Sequence, residues 1–315
     1  MKIALKRSRA GMLCMFFLFA TLTVSACLNG DSKQLKNGTV LYMDQGGMIP
    51  YGHRFYIDDN FKATFREIDS LYKVTKDLDY LSDKALLLIL LKEYGKAIEI
   101  YLSIEKKEPG RYSTASNIGT AYELIGDNVN ALKWIKRSVE IDPKSHRSSE
   151  WIHVKILEAK IKGEDSINSI SLIGTDFGND SMPKTILSEK ELEKLGDALY
   201  YQLNERISFI RPKDQIVAQL LFDLANITYL LRNEHDGLPI FDKAKEYGFD
   251  SATVEMRKVA LSKDIIKYWN NLRAKRFAEV EKKYSNNNRL YLGGGIAIVI
   301  IVIIVVFVIR RRRKL

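Results

Sequence analysis

Cysteine is nearly absent. Cys14 and Cys27 are the only two in 315 residues, so neither a disulfide framework nor a cysteine-based zinc site is expected in the body. Proline is also scarce, six in the whole chain, which favours long helices joined by short connections. The four histidines are His53, His146, His153 and His235. Only His146 and His153 are close in sequence, and with no neighbouring cysteine they read as surface residues, not metal ligands. No phosphate loop, zinc spacing or nucleophile elbow occurs. Asp58 and Asp59 are adjacent and read as a solvated turn, and His235-Asp236-Gly237 reads as a turn between helices. The sequence therefore gives no catalytic, cofactor-binding or metal residue to expect, and an enzyme has nothing to rest on.

An excess of positive charge in the body is lacking too, although the whole chain carries a formal +10. The excess lies at the ends: Lys2, Lys6, Arg7 and Arg9 on one side, Arg310 to Arg313 and Lys314 on the other. Those nine set aside, 40 basic residues face 39 acidic ones, which leaves a nucleic-acid groove without electrostatic support. Basic clusters beside apolar runs are the ordinary signs of membrane topology. Ala10 to Ala26 carries no charge and follows a basic start, the design of a signal peptide over 1–26. It ends on Val24-Ser25-Ala26-Cys27, which resembles the bacterial lipobox and implies a lipid attached to Cys27. Leu28 and Asn29 give no clear sorting instruction, and an uncleaved anchor or ordinary cleavage after Ala26 is the alternative. Leu290 to Ile309 is uncharged and dominated by Ile and Val. Its length matches a hydrocarbon core about 30 Å thick, so one transmembrane helix is expected over 290–309, with a basic cytoplasmic tail over 310–315. With export, the body would lie outside the cytoplasm at the inner membrane, its C-terminus inside.

Between these ends the chain repeats itself at 34 residues. Ala85 aligns with Gly119, Leu88 with Tyr122, Ala97 with Ala131, Tyr101 with Ile135, and Pro109 with Pro143. The second unit reads Ile118-Gly119-x-x-Tyr122, then Ala131-x-x-x-Ile135, Ser138 and Pro143. The pattern resembles the tetratricopeptide repeat (TPR) family, with Leu81 and Ala115 where that family often has Trp. Repeats are expected over about 78–111 and 112–145, within a TPR domain over 61–162 closed by a helix from about Ser149 to Ile161. In that helix Trp151, Ile152, Ile156 and Ala159 are expected to face inward.

Residues 163–186 read as a loop or linker, rich in Gly, Asp, Asn and Ser. Helix resumes at a capping box, Ser188 with Glu191, opening a second TPR-like region over 187–289. There Leu221, Leu224 and Ala225 stand in a first helix and Gly237, Phe241 and Ala244 in a second, before a basic amphipathic helix over 252–285. The expected fold is all-α, a solenoid of helical hairpins with a single C-terminal transmembrane helix.

What the resemblance implies is a groove that binds a protein or peptide partner. TPR domains that take acidic C-termini line the groove with Lys and Asn, whereas the matching stretch here, Leu86 to Leu91, is apolar. It reads as ordinary core or as a seat for an apolar partner helix. Residues 27–60 form an irregular arm. Its Gly-rich and aromatic part, 37–60, reads as a tethered spacer or, more sharply, as a segment lying in the groove. Asp-Ser-apolar tripeptides at Asp69, Asp165, Asp180 and Asp250 resemble O-glycan acceptor sites of some bacterial envelope proteins. The functional expectation is a membrane-anchored interaction scaffold. The alternatives are a sensor subunit acting through the span, or a tail-anchored cytosolic adaptor.

Overall fold

Two of the three hairpins begin where an aspartate, Asp77 or Asp214, satisfies a free backbone donor of the first helix, and the other begins at Arg111 without such a cap. The structure, a computed structural model, describes residues 32–44, 46–56, 60–231 and 234–312, with side chains described except at 232–235 and beyond 283. The signal segment 1–26, Cys27, Asp58 and Asp59 lie outside these residues, as do the side chains of 290–309 and the tail. Two short antiparallel strands, β1 (Ser32–Gln34) and β2 (Val40–Met43), precede the helices and pair Ser32 with Met43 and Lys33 with Tyr42. Helix α1 (Phe61–Thr75) leads into the first hairpin, α2 (Leu78–Leu90) and α3 (Tyr94–Lys107). The second hairpin is α4 (Tyr112–Leu124) and α5 (Asn128–Ile141). Asp77 caps α2 by accepting from the Asp79 N–H, and Asp127 caps α5 by accepting from the Asn130 N–H.

The small residues of the repeat sit where helices approach closely. A Cβ added to Gly119 would lie 2.5 Å from Cδ1 of Ile135, so any side chain there would drive α4 from α5. Ala85, Leu88, Ala97, Tyr101 and Ile118 are buried together between α2, α3 and α4, with Tyr122 packed against them. Ala131 and Ile135 are buried against Leu157. Pro109 and Pro143 follow the C-terminal caps of α3 and α5, where a missing N–H costs nothing.

After α5 the chain makes one turn, α6 (Ser145–Ser148), in which His146, Arg147 and Ser148 all have positive φ, 47°, 51° and 63°. Three consecutive non-glycine residues in the left-handed region store strain of about 1–2 kcal/mol each. Helix α7 (Glu150–Lys162) follows. Ile152, Ile156 and Ala159 face inward as expected, but Trp151 does not and is 37% exposed. One residue from Ile152 is about 100° around the helix, which carries the indole off the buried stripe. Residues 163–186 contain a single 3₁₀ turn (Glu164–Ser166) and a short helix, α8 (Ser169–Ile173). Leu172, Ile173 and Phe177 from this stretch enter the core.

The capping box forms as expected at the start of α9 (Glu189–Ile207): the Ser188 N–H and hydroxyl both donate to Glu191. A third hairpin, α10 (Gln215–Leu230) and α11 (Glu234–Tyr247), buries Leu224, Ala225, Phe241 and Ala244. Asp236 and Gly237 lie in the first turns of α11 and not in a loop between helices. There a Cβ on Gly237 would meet Leu261 at 2.8 Å. The last helix, α12 (Ala252–Arg312), runs unbroken for 61 residues. One core joins α7, α8, α9, α10, α11 and the start of α12. Arg257 fastens α12 to the 163–186 stretch, donating to the carbonyls of Phe177, Gly178 and Asp180 and to Asn226. The body is thus a stack of helical hairpins with a two-stranded ribbon at its N-terminal side. Among the described residues no helix is long and apolar enough to cross a membrane.

Candidate binding groove

The first helix of each of the first two hairpins turns one face to its partner helix and the opposite face to other parts of the chain. On α2 the inner face carries Ala85 and Leu88. The opposite face carries Leu86 and Leu87, both fully buried, and what buries them is the arm: Leu35, Leu41 and Tyr42, together with Phe61 and Ile68 of α1. The apolar stretch beginning at Leu86 is therefore not only hairpin core. Part of it is a seat, and the chain's own N-terminal segment occupies it.

The arm is held by more than burial. The Lys36 N–H donates to Asp83 at 2.6 Å, and the Lys36 ammonium pairs with Asp77 and Asp79, which also pairs with Arg111. Burial pushes the Asp83 carboxyl up to about 6, against the pull of that backbone donor. Beyond β2 the arm crosses to α9. The Gly52 N–H donates to Asn204 at 2.9 Å and the His53 N–H to the Ser208 hydroxyl at 2.7 Å. Gly52 has φ +83°, and a Cβ there would stand 2.9 Å from the Ser208 nitrogen, so only glycine fits this crossing. The His53 ring stacks on Tyr42 at 4.0 Å and its Nδ1 lies 2.8 Å from Asp44. Phe55 packs on Phe209, and Tyr51 lies under the Lys243 ammonium of α11. The spacer reading fails for 32–56: aromatic side chains that seemed idle in sequence are what seat the segment.

On α4 the corresponding face meets α7 and α9. Glu123, whose side chain is only 6% exposed, accepts from Arg206 at 2.7 Å, from Lys160 at 2.6 Å and faces His153 Nε2 at 2.6 Å. Glu150 pairs with His146 and stands 3.6 Å from His153 Nδ1, and Glu205 stands 3.8 Å from His146. His146 and His153 were expected at the surface and are both buried. Their partners, Glu123 and Glu205, come from other helices and so leave no local mark in sequence. Only Glu150 could have been noticed, four residues after His146 and three before His153.

Burial would push the Glu123 carboxyl up, but Arg206, His153 and Lys160 together hold it well below the usual range. Burial would likewise push His153 down, and Glu123 and Glu150 hold it above its ordinary value. The Glu205 carboxyl is pushed up by burial. The cavity beside this cluster is only 30 Å³, room for about one water and no ligand. Among the described residues no group of His, Cys, Asp and Glu has the geometry to hold a metal ion. The cluster is thus a staple that locks the end of α9 across the face of α4.

No family model and no curated protein sequence matches the chain. Among solved structures, one similar chain belongs to the complex of the TPR2AB domain with pHSP90 of yeast Sti1. It shares 14% identity over 68% of this chain and 83% of that one, with a TM-score of 0.29. A likeness at that level carries no argument, and the hairpin stack rests on the packing described above.

Proposed function

We propose that this chain is a protein-interaction scaffold held to a membrane by residues 290–309, its body lying outside the cytoplasm. The observation that carries the scaffold reading is the hairpin stack at a 34-residue period, built by Ala85, Gly119, Ala97 and Ala131 and offering long side surfaces. Supporting the anchoring is α12, whose backbone continues as helix from the body through the apolar run to Arg312. The signal design of 1–26 and a lipid on Cys27 complete the reading, with both ends held to one membrane. The function proposed is to assemble or stabilise an envelope complex.

The topology decides among the alternatives. Ser181 is exposed, and Cys27 is the only cysteine expected after processing, so Ser181→Cys gives one reporter on the body. Labelling by an impermeant maleimide in intact spheroplasts is the expected result. Labelling only after lysis would overturn export and favour a tail-anchored cytosolic adaptor. A partner whose occupancy changes with a small ligand would favour the sensor subunit.

A further inference from the structure

Helix α12 leaves the body after Ile265, the last of its residues packed on the large core. From Ile266 to Lys283 every side chain except Leu272 is exposed. Most helices in proteins are stabilised by packing an amphipathic face and not by propensity, so a helix this bare needs a cover. One of its faces is apolar where it has none. At about 100° per residue, Val259, Ile266, Trp269, Phe277 and Val280 fall within one stripe about 80° wide, together with Ser262 and Arg273. The five apolar side chains are 40% to 74% exposed. The face turned to the body is a different one. It carries Val254, Leu261 and Ile265 and continues outward as Tyr268, Leu272, Lys275 and Glu279, mostly polar. The exposed stripe is therefore not the core face running on past the core.

The stripe also has a repeat of its own. Val259, Ile266, Arg273 and Val280 are seven residues apart, the spacing at which two helices wind around one another. Three of the four are β-branched, the side chains that suit this position in two-stranded pairs. Leu272 and Phe277 flank the stripe on opposite sides, so in a parallel pair Leu272 of one copy faces Phe277 of the other. We propose that α12 pairs in parallel with α12 of a second copy through this stripe. A heptad seam is complementary to itself, which is what points to a second copy as the occupant. The five apolar side chains offer roughly 500 Å² per copy, and a pair so covered reaches the roughly 1,000 Å² at which specific interfaces begin. The parallel sense follows from both copies entering one membrane through 290–309, and in this the proposal rests on the anchoring reading. Ser262, Arg273 and Arg276 weaken the seam. An arginine stem can lie along it with its head in water, and a polar residue at a seam position costs stability while fixing register. Confinement in one membrane compensates by raising the effective concentration of the two helices. The paired scaffold holds two hairpin bodies side by side.

The test is oxidative cross-linking of the full chain in native membranes, one added cysteine at a time, with the parent chain setting the background. Ile266→Cys, Trp269→Cys and Val280→Cys should give disulfide-linked dimers at least about fivefold above Lys267→Cys, Lys275→Cys and Ala278→Cys on the other faces. With Val280→Cys as reporter, Ile266→Asp and Phe277→Asp together should cut the yield at least about fivefold, and Arg273→Ile should raise it. All of these positions are exposed, so the body should fold in every variant, which its resistance to protease checks. Equal yields on all faces, no cross-link above background, or a yield indifferent to these substitutions would overturn the pairing. Protection of position 266 from an impermeant maleimide without a cross-link would mean that lipid or another protein covers the stripe, and would overturn it too. Labelling of the body only after lysis would sink export and leave the pairing standing, since two copies in one membrane run parallel on either side of it. A flat cross-linking profile with an exported body would sink the pairing alone.

Discussion

Helices α2 and α4 occupy the same place in a 34-residue repeat, yet the faces they leave open are covered by opposite chemistry. Leu86 corresponds to Thr120, Asp83 to Asn117 and Ile89 to Glu123. On α2 the cover is apolar and local in sequence, an arm carrying Leu35, Leu41 and Tyr42. On α4 it is ionic and distant, Arg206 of α9 meeting Glu123. The repeat pattern constrains the residues between the helices of a hairpin and says little about the opposite face. One scaffold position can therefore hold a buried isoleucine of the hairpin core in one unit, Ile89, and an enclosed carboxylate in the next, Glu123.

The sharpest way to break this comparison is to give α4 the chemistry of α2. Glu123→Ile leaves Arg206 and His153 buried without their acid, and breaking a buried pair on one side costs about 3–5 kcal/mol. Denaturant unfolding of the full chain in detergent should show a loss of that size. A loss below about 1 kcal/mol would mean that water reaches Arg206 and that the staple is not closed. The converse change acts on the seat. Leu86→Ala should cost about 2–5 kcal/mol, the range for a buried leucine, and should speed proteolysis within 44–56 as the arm loosens. Destabilisation without faster cleavage would show that Leu86 supports α1 and not the arm. Gly119→Ala tests the packing common to both units, and overpacking against Ile135 should cost about 1–3 kcal/mol.

The two covers also answer differently to pH. Asp83 under the arm titrates at about 6 and Asp223 in the large core at about 7, both raised by burial, and His153 in the staple is raised as well. Groups with raised values contribute stability that is present in acid and lost as pH rises through their folded values. Glu123 and Glu150 are lowered, so their contribution is present above the ordinary 4.5 and lost as pH falls below it. Thermal stability should therefore be greatest near about 4.5 and decline as pH rises to about 7. Asp83→Asn and Asp223→Asn should each flatten the decline. A curve rising from pH 6 to 8 would show that these carboxyls are ionised and solvated in the folded protein.

What could be read from sequence follows the same division. The hairpins were legible because helix–helix contact demands small residues at fixed spacing, as at Ala85, Gly119, Ala97 and Ala131. The capping box at Ser188 was legible because both of its partners lie within one turn. The seating of the arm was not, since Gly52 and His53 donate to Asn204 and Ser208 some 150 residues away and nothing in the segment's own pattern points there. Trp151 was misplaced by a single helical step, and His146 and His153 by partners on other helices.

The smallest expected effect separates burial from charge in holding the arm. Lys36 meets Asp77 and Asp79, but all three side chains are about a third exposed, and an ion pair so placed contributes under about 1 kcal/mol. Lys36→Ala removes the ammonium while keeping the backbone N–H that donates to Asp83. If burial of Leu35, Leu41 and Tyr42 seats the arm, this variant should lose less than about 1 kcal/mol and show little salt dependence. A loss of 2 kcal/mol or more, shrinking in high salt, would mean that the arm is held by its lysine. The contrast between an apolar cover on α2 and an ionic one on α4 would then be one of degree, since both units would be closed by a cation from another segment of the chain.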